Sequence, residues 1–362
     1  MADWFKMAAP LPDQLAAQSA RARQASLTKP AGSLGQLEEV AIQLAACQKA
    51  QAPEIKNPHI LIFAADHGIV AEGVSLFPQE VTGQMMVNFV VGGAAISVLA
   101  RENAAQLSII DVGSLMEEPL ERIITDKVAL GSRNFRHQEA LSPAELVHAL
   151  AAGKRAVERS VTDNADLLIL GEMGIGNTSA ATAITAALTQ TPAAKITGAG
   201  TGIDETGLSH KRQVLEDSLA FHGLGPTTGS PVPSPLDILQ KVGGHDLAAL
   251  AGAYIAAAQN QVPVLVDGFI CTAASLAAVR LNPSCRAWMI FTHQSAEQGH
   301  GYILNELKAQ PLLNIGLRLG EGSGAAVALP LIRLACSLHN QMATFEDAGV
   351  SDKTKSPQGA EQ

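Results

Sequence analysis

Apolar residues recur along this 362-residue chain in two rhythms. From about residue 11 to residue 52 they follow helical spacing, interrupted once at Leu27-Thr28-Lys29-Pro30-Ala31-Gly32-Ser33-Leu34-Gly35, where proline and glycine force a loop between helices. From His59 onward, short apolar runs alternate with amphipathic segments. The runs predict strands at Ile60–Ala64, Leu107–Val112, Leu167–Leu170, Val262–Val266, Ala287–Phe291 and Leu312–Leu317. The segments between them predict helices over Glu80–Arg101, Pro143–Val161, Ser179–Thr189, Gly207–Phe221, Asp246–Gln259, Thr272–Leu281 and Ala296–Leu307. A last helix, Ser323–His339, contains Pro330 as a point of kinking.

Such alternation predicts an α/β fold, a parallel sheet covered by helices on both faces. The N-terminal helical stretch has no strand to pair with, so it is expected to join the C-terminal helix in a small helical lobe. The expected division is residues 1–55 in that lobe, 56–322 as the large α/β domain with a substrate crevice, and 323–350 as the helix that completes the lobe. Leu224–Pro235 reads as an ordered loop inside the large domain, and the polar tail 351–362 is expected to be disordered.

Composition narrows the picture. Hydrophobic residues make up 47% of the chain but aromatics only 4%, and alanine is abundant, so the core is expected to be helix-rich and packed by small and aliphatic side chains. A net charge of -9 argues against nucleic acid or an anionic membrane as the main partner, so an anionic ligand must be met by local donors. No apolar run reads as a membrane span, and Met1–Pro10 lacks the basic-then-apolar pattern of a leader; a cytoplasmic protein is expected. Cys47, Cys271, Cys285 and Cys336 are scattered, which predicts buried free thiols rather than a metal or redox centre.

The candidate chemistry starts at Asp166–Leu188. An apolar run opens into Gly171-Glu172-Met173-Gly174-Ile175-Gly176-Asn177-Thr178-Ser179 and then into an alanine-rich helix, so a glycine turn leads to a helix N-terminus where Thr178 and Ser179 can act as caps. The spacing G-x-x-G-x-G fits neither the dinucleotide fingerprint nor the P-loop. Two readings stand: a turn whose glycines serve packing alone, or a cradle for phosphate. The other strand ends favour the second, since ligands of an open parallel sheet bind where the strands end. Those ends carry Asp66-His67-Gly68, Asp111-Val112-Gly113-Ser114, Asp267-Gly268, Thr292-His293-Gln294-Ser295 and Arg318-Leu319-Gly320-Glu321-Gly322.

Asp66-His67 could belong to a metal site, but no second pair at ligand spacing accompanies it, and a capped turn with a neutral histidine serves as well. Glu321 lies between two glycines just before a helix. It is either an acidic residue complementing the helix dipole or a general base whose pKa burial raises. A second glycine-rich loop, 197–204, precedes a helix carrying Lys211, which either faces solvent or completes a phosphate cradle.

Five stretches together carry a resemblance: Leu27-Thr28-Lys29-Pro30-x-Gly32-Ser33-Leu34-Gly35, Ala65-Asp66-His67-Gly68, Phe77-Pro78-Gln79-Glu80-Val81-Thr82, Gly171–Thr178 and Arg318-Leu319-Gly320-Glu321-Gly322. In combination they closely resemble the nicotinate-nucleotide:dimethylbenzimidazole phosphoribosyltransferase family, across nearly the whole chain. The resemblance implies a Rossmann-like large domain with a small helical lobe, a homodimer, and transfer of the 5-phosphoribosyl group from nicotinate mononucleotide to 5,6-dimethylbenzimidazole. It implies no cofactor and no metal. Glu321 matches the family's general base. Gly174–Thr178 and Lys211 match its phosphate site, with the Gly200–Gly202 turn nearby. With the strand-end groups Glu172, Asp267 and Ser295, the phosphate and ribose set comprises Glu172, Gly174, Gly176, Asn177, Thr178, Gly200, Gly202, Lys211, Asp267 and Ser295. The benzimidazole pocket is expected around Pro78, Gln84, Met85, Met173 and Leu319. Two other classes remain open at this point: a metal-dependent phosphohydrolase using Asp66, His67, Asp111 and Asp267, and a non-catalytic nucleotide-binding regulator.

Overall fold

The computed structural model describes residues 3–198, 200, 202, 204–226 and 232–351. The apolar runs pair into one six-stranded parallel sheet ordered β3-β2-β1-β4-β5-β6. Its strands are β1 (Pro58–Ala65), β2 (Gln106–Gly113), β3 (Ile124–Thr125), β4 (Leu167–Met173), β5 (Val264–Val266) and β6 (Met289–Phe291). β1 is buried along its whole length and lies between β2 and β4, with Ile60 opposite both Leu107 and Ile169. Burial on both faces is why these runs are continuously apolar rather than alternating.

The helices in chain order are α1 (Gln14–Ser26), α2 (Gln36–Gln48), α3 (Glu80–Val91), α4 (Ala95–Glu102), α5 (Pro143–Thr162), α6 (Asn177–Thr189) and α7 (Ala193–Ile196). They continue with α8 (Glu205–Phe221), α9 (Pro235–Val242), α10 (His245–Gln259), α11 (Phe269–Leu281), α12 (His300–Glu306) and α13 (Ser323–Gln341), which holds Pro330 inside it. α10 is buried from His245 to Ala258, which explains its alanine content: a helix enclosed on all sides packs most closely with small side chains. Local signals set several starts. At α5, Ser142 and Glu145 form a reciprocal capping box ahead of Pro143, and α9 begins at Pro235 behind Ser234, whose hydroxyl accepts from Asp237 N–H.

Three expectations are revised. The stretch 80–102 is apolar, with a mean hydropathy of 1.6 in its best window, but it is not one helix: Gly92, at φ 89°, ends α3 and α4 starts anew after Ala94. Leu312–Leu317 forms no strand. It runs beside the end of β6 with Leu312 N–H donating to Phe291 and Leu313 N–H to Thr292, but the pairing amounts to one parallel bridge, Leu313 to His293. The helix expected from Ala296 begins only at His300. Of the loop Leu224–Pro235, residues 227–231 lie outside the described residues, and α9 begins at its last position, Pro235. The tail 351–362 is described only at Ser351.

The chain forms two compact units. The first comprises the residues up to Leu11 together with Lys56–Leu329 and holds the sheet. The second comprises Pro12–Ile55 and the segment from Pro330 onward. Within the second, Ala17 and Ala20 of α1 pack against Ile42, Ala45 and Ala46 of α2. Arg23 donates to the carbonyls of His339 (2.6 Å) and Asn340 (2.9 Å), a cation placed on the negative end of α13. The loop 27–35 is held by a buried ion pair between Lys29 and Glu38 at 2.8 Å.

Candidate functional site

In this strand order the chain reverses its direction of travel across the sheet between β1 and β4, where ligands of an open parallel sheet are expected. A cavity of about 700 Å³ lies over the ends of β4, β5 and β6 and is walled by α3, the helix that follows β1. Glu172, Met173, Gly174, Asn177, Thr178, Gly200, Asp267, Ser295, Met85, Leu319 and Glu321 all line it. The structure therefore brings together most of the residues expected from sequence.

The glycine turn is built differently from the expectation. α6 starts at Asn177 with Gly176 as its N-cap at φ 95°, so Thr178 and Ser179 sit inside the first turn and cap nothing. No side chain caps this end, which leaves its positive pole toward the cavity. Thr178 has another partner: its Oγ1 accepts from Lys211 Nζ at 2.9 Å. Lys211 is 2% exposed, so it does not face solvent, and it stands behind Thr178 rather than in the cavity wall. Gly200 closes over the pair; a β-carbon there would lie 3.2 Å from both Lys211 Nζ and Thr178 Oγ1. Burial pushes the Lys211 ammonium down to about 8, with Glu297 acting in the opposite sense. Gly202 is exposed and lies away from the cavity.

Three carboxyl groups converge on the same space. Glu172, fully buried at the end of β4, is pushed up to about 8 by desolvation, against the hydrogen bond from Asn177 Nδ2 and assisted by the charges of Asp246 and Asp267. Asp267 accepts from Ala325 N–H at 2.9 Å and so caps the start of α13 from another segment; burial raises its pKa. Glu321 stands in a run of three left-handed residues, Gly320 at φ 89°, Glu321 at φ 63° and Gly322 at φ 74°. A non-glycine residue held there costs about 1–3 kcal/mol, strain that is concentrated at functional positions.

The loop is locked by contact with β4. Gly171 lies so close that a β-carbon would sit 2.7 Å from the Glu321 carbonyl, and Glu321 N–H donates to Glu172 Oε1 at 3.4 Å. The side chain, 6% exposed, accepts from Ile96 N–H at the start of α4 at 3.4 Å. Burial raises the Glu321 pKa and Asp267 adds to the rise, while Ile96 N–H opposes it. A carboxylate so placed is a better proton acceptor than an exposed one.

The remaining wall is apolar: Phe77, Val81 and Met85 from the α3 region, with Ile175, Met173 and Leu319. Pro78 and Gln84 are exposed and do not line it. The reason is helical phase. Val81 and Met85, one turn apart on α3, share the cavity side, and Gln84 is turned about 100° from Met85. Phe77, one residue before Pro78, supplies the contact instead.

The strand ends divide into two groups. Those of β4, β5 and β6 build the cavity, whereas those of β1 and β2 are engaged elsewhere. Asp66 Oδ2 accepts from Leu115 N–H at 2.8 Å, and Asp111 Oδ2 binds Lys127 Nζ at 2.7 Å and Ser114 Oγ at 2.8 Å. Asp66, His67, Asp111 and Asp267 thus fail to converge as a phosphohydrolase would need, and among the described residues no three His, Cys, Asp or Glu side chains are grouped to hold a metal ion. His293, named in sequence as part of a strand end, lines the cavity, and so does Glu297, which the sequence did not single out. His300 lies behind them and is neutral: Ser295 N–H donates to its Nδ1 at 2.8 Å, so the ring proton sits on Nε2 facing Thr272 Oγ1 at 3.0 Å, and burial drives its pKa down to about 3.

Comparison with known proteins supplies the family. The phosphoribosyltransferase family model matches residues 9–350. The nicotinate-nucleotide–dimethylbenzimidazole phosphoribosyltransferase of a Pseudomonas putida strain is 52% identical over 353 residues, covering 97% of this chain and 98% of the relative. Its counterpart in a Bradyrhizobium species is 51% identical over 351 residues, covering 97% and 99%. The crystal structure of the enzyme of that name from Thermus thermophilus superposes with a TM-score of 0.86 at 42% identity, covering 94% of this chain and 99% of that one. With the motifs, the six-stranded sheet and the carboxylate-bearing cavity all in agreement, the chain belongs to the nicotinate-nucleotide–dimethylbenzimidazole phosphoribosyltransferase family.

Proposed function

We propose that the protein transfers the 5-phosphoribosyl group of nicotinate mononucleotide to 5,6-dimethylbenzimidazole, with inversion at C1′, to give α-ribazole 5′-phosphate and nicotinate. One observation carries the reading: a buried carboxylate on a strained loop, Glu321, shares a cavity with an open helix N-terminus backed by Lys211 and with an apolar wall. The glycosidic nitrogen of the mononucleotide is already cationic, so its bond to C1′ breaks to leave neutral pyridine nitrogen without prior protonation. A benzimidazole nitrogen forms the new bond on the opposite face, and Glu321 takes the proton from the other ring nitrogen. Proton removal keeps positive charge from building on the incoming ring.

The phosphate is assigned to the α6 N-terminus, Thr178, Gly200 and Lys211, which orient the sugar and make no bonds. Glu172, Asp267 and Ser295 are assigned to the ribose, and Met85, Met173, Val81, Phe77 and Leu319 to the dimethyl-substituted ring, where adaptable methionines suit an aromatic edge. The protein is assigned to the cytosol, a reading supported by four buried cysteines that carry free thiols. It acts as a homodimer; Leu76, Phe77, Val87, Val91 and Val98 leave apolar surface exposed along the α3–α4 segment, of the kind a second copy covers. Sedimentation velocity checks this, with a monomer at micromolar concentration as the contrary result.

Mixing the two substrates with the protein should release nicotinate, read by chromatography, only when both are present. A regulator would bind the mononucleotide and release nothing. Lys211 gives a second expectation. Because its folded-state pKa lies near 8 before ligand binds, mononucleotide affinity should hold below that value and weaken as pH rises through it, by up to about tenfold per unit. Lys211→Ala should weaken binding at pH 7 and flatten this dependence. Calorimetric titration at several pH values measures both, and an unchanged affinity in Lys211→Ala would remove the lysine from the phosphate site.

A further inference from the structure

His67, prominent in sequence, takes no part in the cavity wall, yet it is completely buried and the structure makes room for it at unusual cost in side chains. A β-carbon on Gly244 would fall 2.2 Å from its Cε1, one on Gly174 3.3 Å from its Cδ2, and one on Gly176 3.2 Å from its Cβ. Gly244 is therefore shaped around this ring, and the two glycines of the phosphate turn lie against the same residue, although the first obstacles there are the Ala65 carbonyl at Gly174 and Val70 at Gly176. His67 Nε2 lies 3.0 Å from Asp246 Oδ1, both side chains being fully inaccessible. Asp246 Oδ2 accepts from Asn177 Nδ2 at 3.2 Å, and the same amide nitrogen donates to Glu172 Oε2. Glu172 Oε1 in turn meets the Glu321 N–H and presses on Gly320, where a β-carbon would stand 2.4 Å away.

We propose that His67 and Asp246 are positioning residues which, through Asn177, hold Glu172 as the back plate of the Gly320–Gly322 loop and so fix where Glu321 meets substrate. The proposal rests on the function assigned above. The Asn177 amide has two hydrogens and gives one to each carboxyl group, so the pair is held at a set spacing, and the charge on Asp246 opposes ionisation of Glu172. The other ionisable groups facing this pair are Asp267 after β5, Cys271 on α11, Glu321 before α13 and His245 beside Asp246.

Asp246→Asn keeps an oxygen for Leu247 N–H, which Asp246 Oδ1 now accepts at 2.8 Å, so the start of α10 retains its bond. In this variant kcat should fall by at least about tenfold while KM for nicotinate mononucleotide stays within about threefold. Ionisation of Glu172 should give kcat an alkaline limb, which in this variant should move to lower pH, and the movement should vanish in a Glu172→Gln background. His67→Ala should lower kcat likewise but leave the alkaline limb where it is or move it upward, because Asp246 keeps its charge, with partial recovery of kcat in His67→Gln; these variants decide the matter should Asp246→Asn fail to fold. A turnover within twofold of wild type, or an equal pH displacement without Glu172, overturns the proposal. Infrared titration of the substrate-free protein separates the two readings. The protonated-carboxyl band that is absent in Glu172→Gln should disappear at lower pH in Asp246→Asn, whether or not the wild type releases nicotinate. An unmoved band overturns the coupling by itself, whereas a moved band in a wild type that releases no nicotinate leaves the coupling standing and the assigned reaction refuted.

Discussion

Glu321→Gln should lower kcat by about 10²–10⁴-fold and leave nicotinate mononucleotide bound, because the amide keeps the shape of the side chain and the contact to Ile96 N–H but accepts no proton. The effect belongs to turnover: the groups assigned to the phosphate are on α6 and α8, and none depends on Glu321. The pH dependence follows from the same carboxylate. Its folded-state pKa is raised by burial, so the base is lost on acidification at a higher pH than an exposed glutamate would allow, and kcat should fall as pH drops through that range. In Glu321→Gln this acid limb should be missing. Steady-state kinetics across pH measures both effects, and normal turnover in the variant would remove Glu321 from the role of base.

Gly320→Ala is expected to be nearly as damaging although it adds one methyl group. Gly320 is at φ 89°, which an alanine adopts only under strain, and its β-carbon would collide with Glu172 Oε1 at 2.4 Å. Neither neighbour can yield freely, since Glu172 is held by Asn177 and the loop lies against Gly171. Relief must come from moving the loop that carries Glu321, and a displacement of about 1 Å at a reacting group costs on the order of 10²-fold in rate. The variant should remain folded, with its affinity for the mononucleotide close to wild type. Retained turnover would show that the loop tolerates displacement and that its backbone geometry is incidental to catalysis.

Much of this arrangement could be read from residues alone, and the exceptions share a physical cause. Strands β1, β2 and β4 are long and buried, so their apolar runs stood out, and the glycine-flanked Glu321 and the turn at Gly171–Gly176 marked themselves by composition. Missed features depended on partners distant in sequence. Stretch 80–101 has continuous helical periodicity, and nothing in that rhythm shows that Gly92 closes one helix so that a new N-terminus can present Ile96 N–H to a carboxylate 225 positions away. Thr178 looked like a cap because of its place before an alanine run, whereas its hydroxyl serves Lys211, 33 positions on. The glycines of the turn suggest close approach to a ligand, yet Gly171 admits the Glu321 loop, Gly174 admits the Ala65 carbonyl, and Gly176 admits the Val70 side chain. Edge strand β3 is two residues long, below the length at which alternation can be recognised.

Helical phase accounts for which residues of the expected base pocket line the cavity. A helix turns about 100° per residue, and on α3 this sets Met85 in the wall and leaves Gln84 exposed. Once α3 is placed, Val81 and Met85 follow together, and Phe77 replaces Pro78 in the turn that leads into it.

A one-step displacement at C1′ is tested most directly by the anomeric configuration of the product together with its stoichiometry. Nuclear magnetic resonance of a reaction containing nicotinate mononucleotide and 5,6-dimethylbenzimidazole should show only the α-linked ribazole 5′-phosphate, one molecule for each nicotinate released. A β-linked or mixed product, or free ribose 5-phosphate in place of coupling, would contradict it.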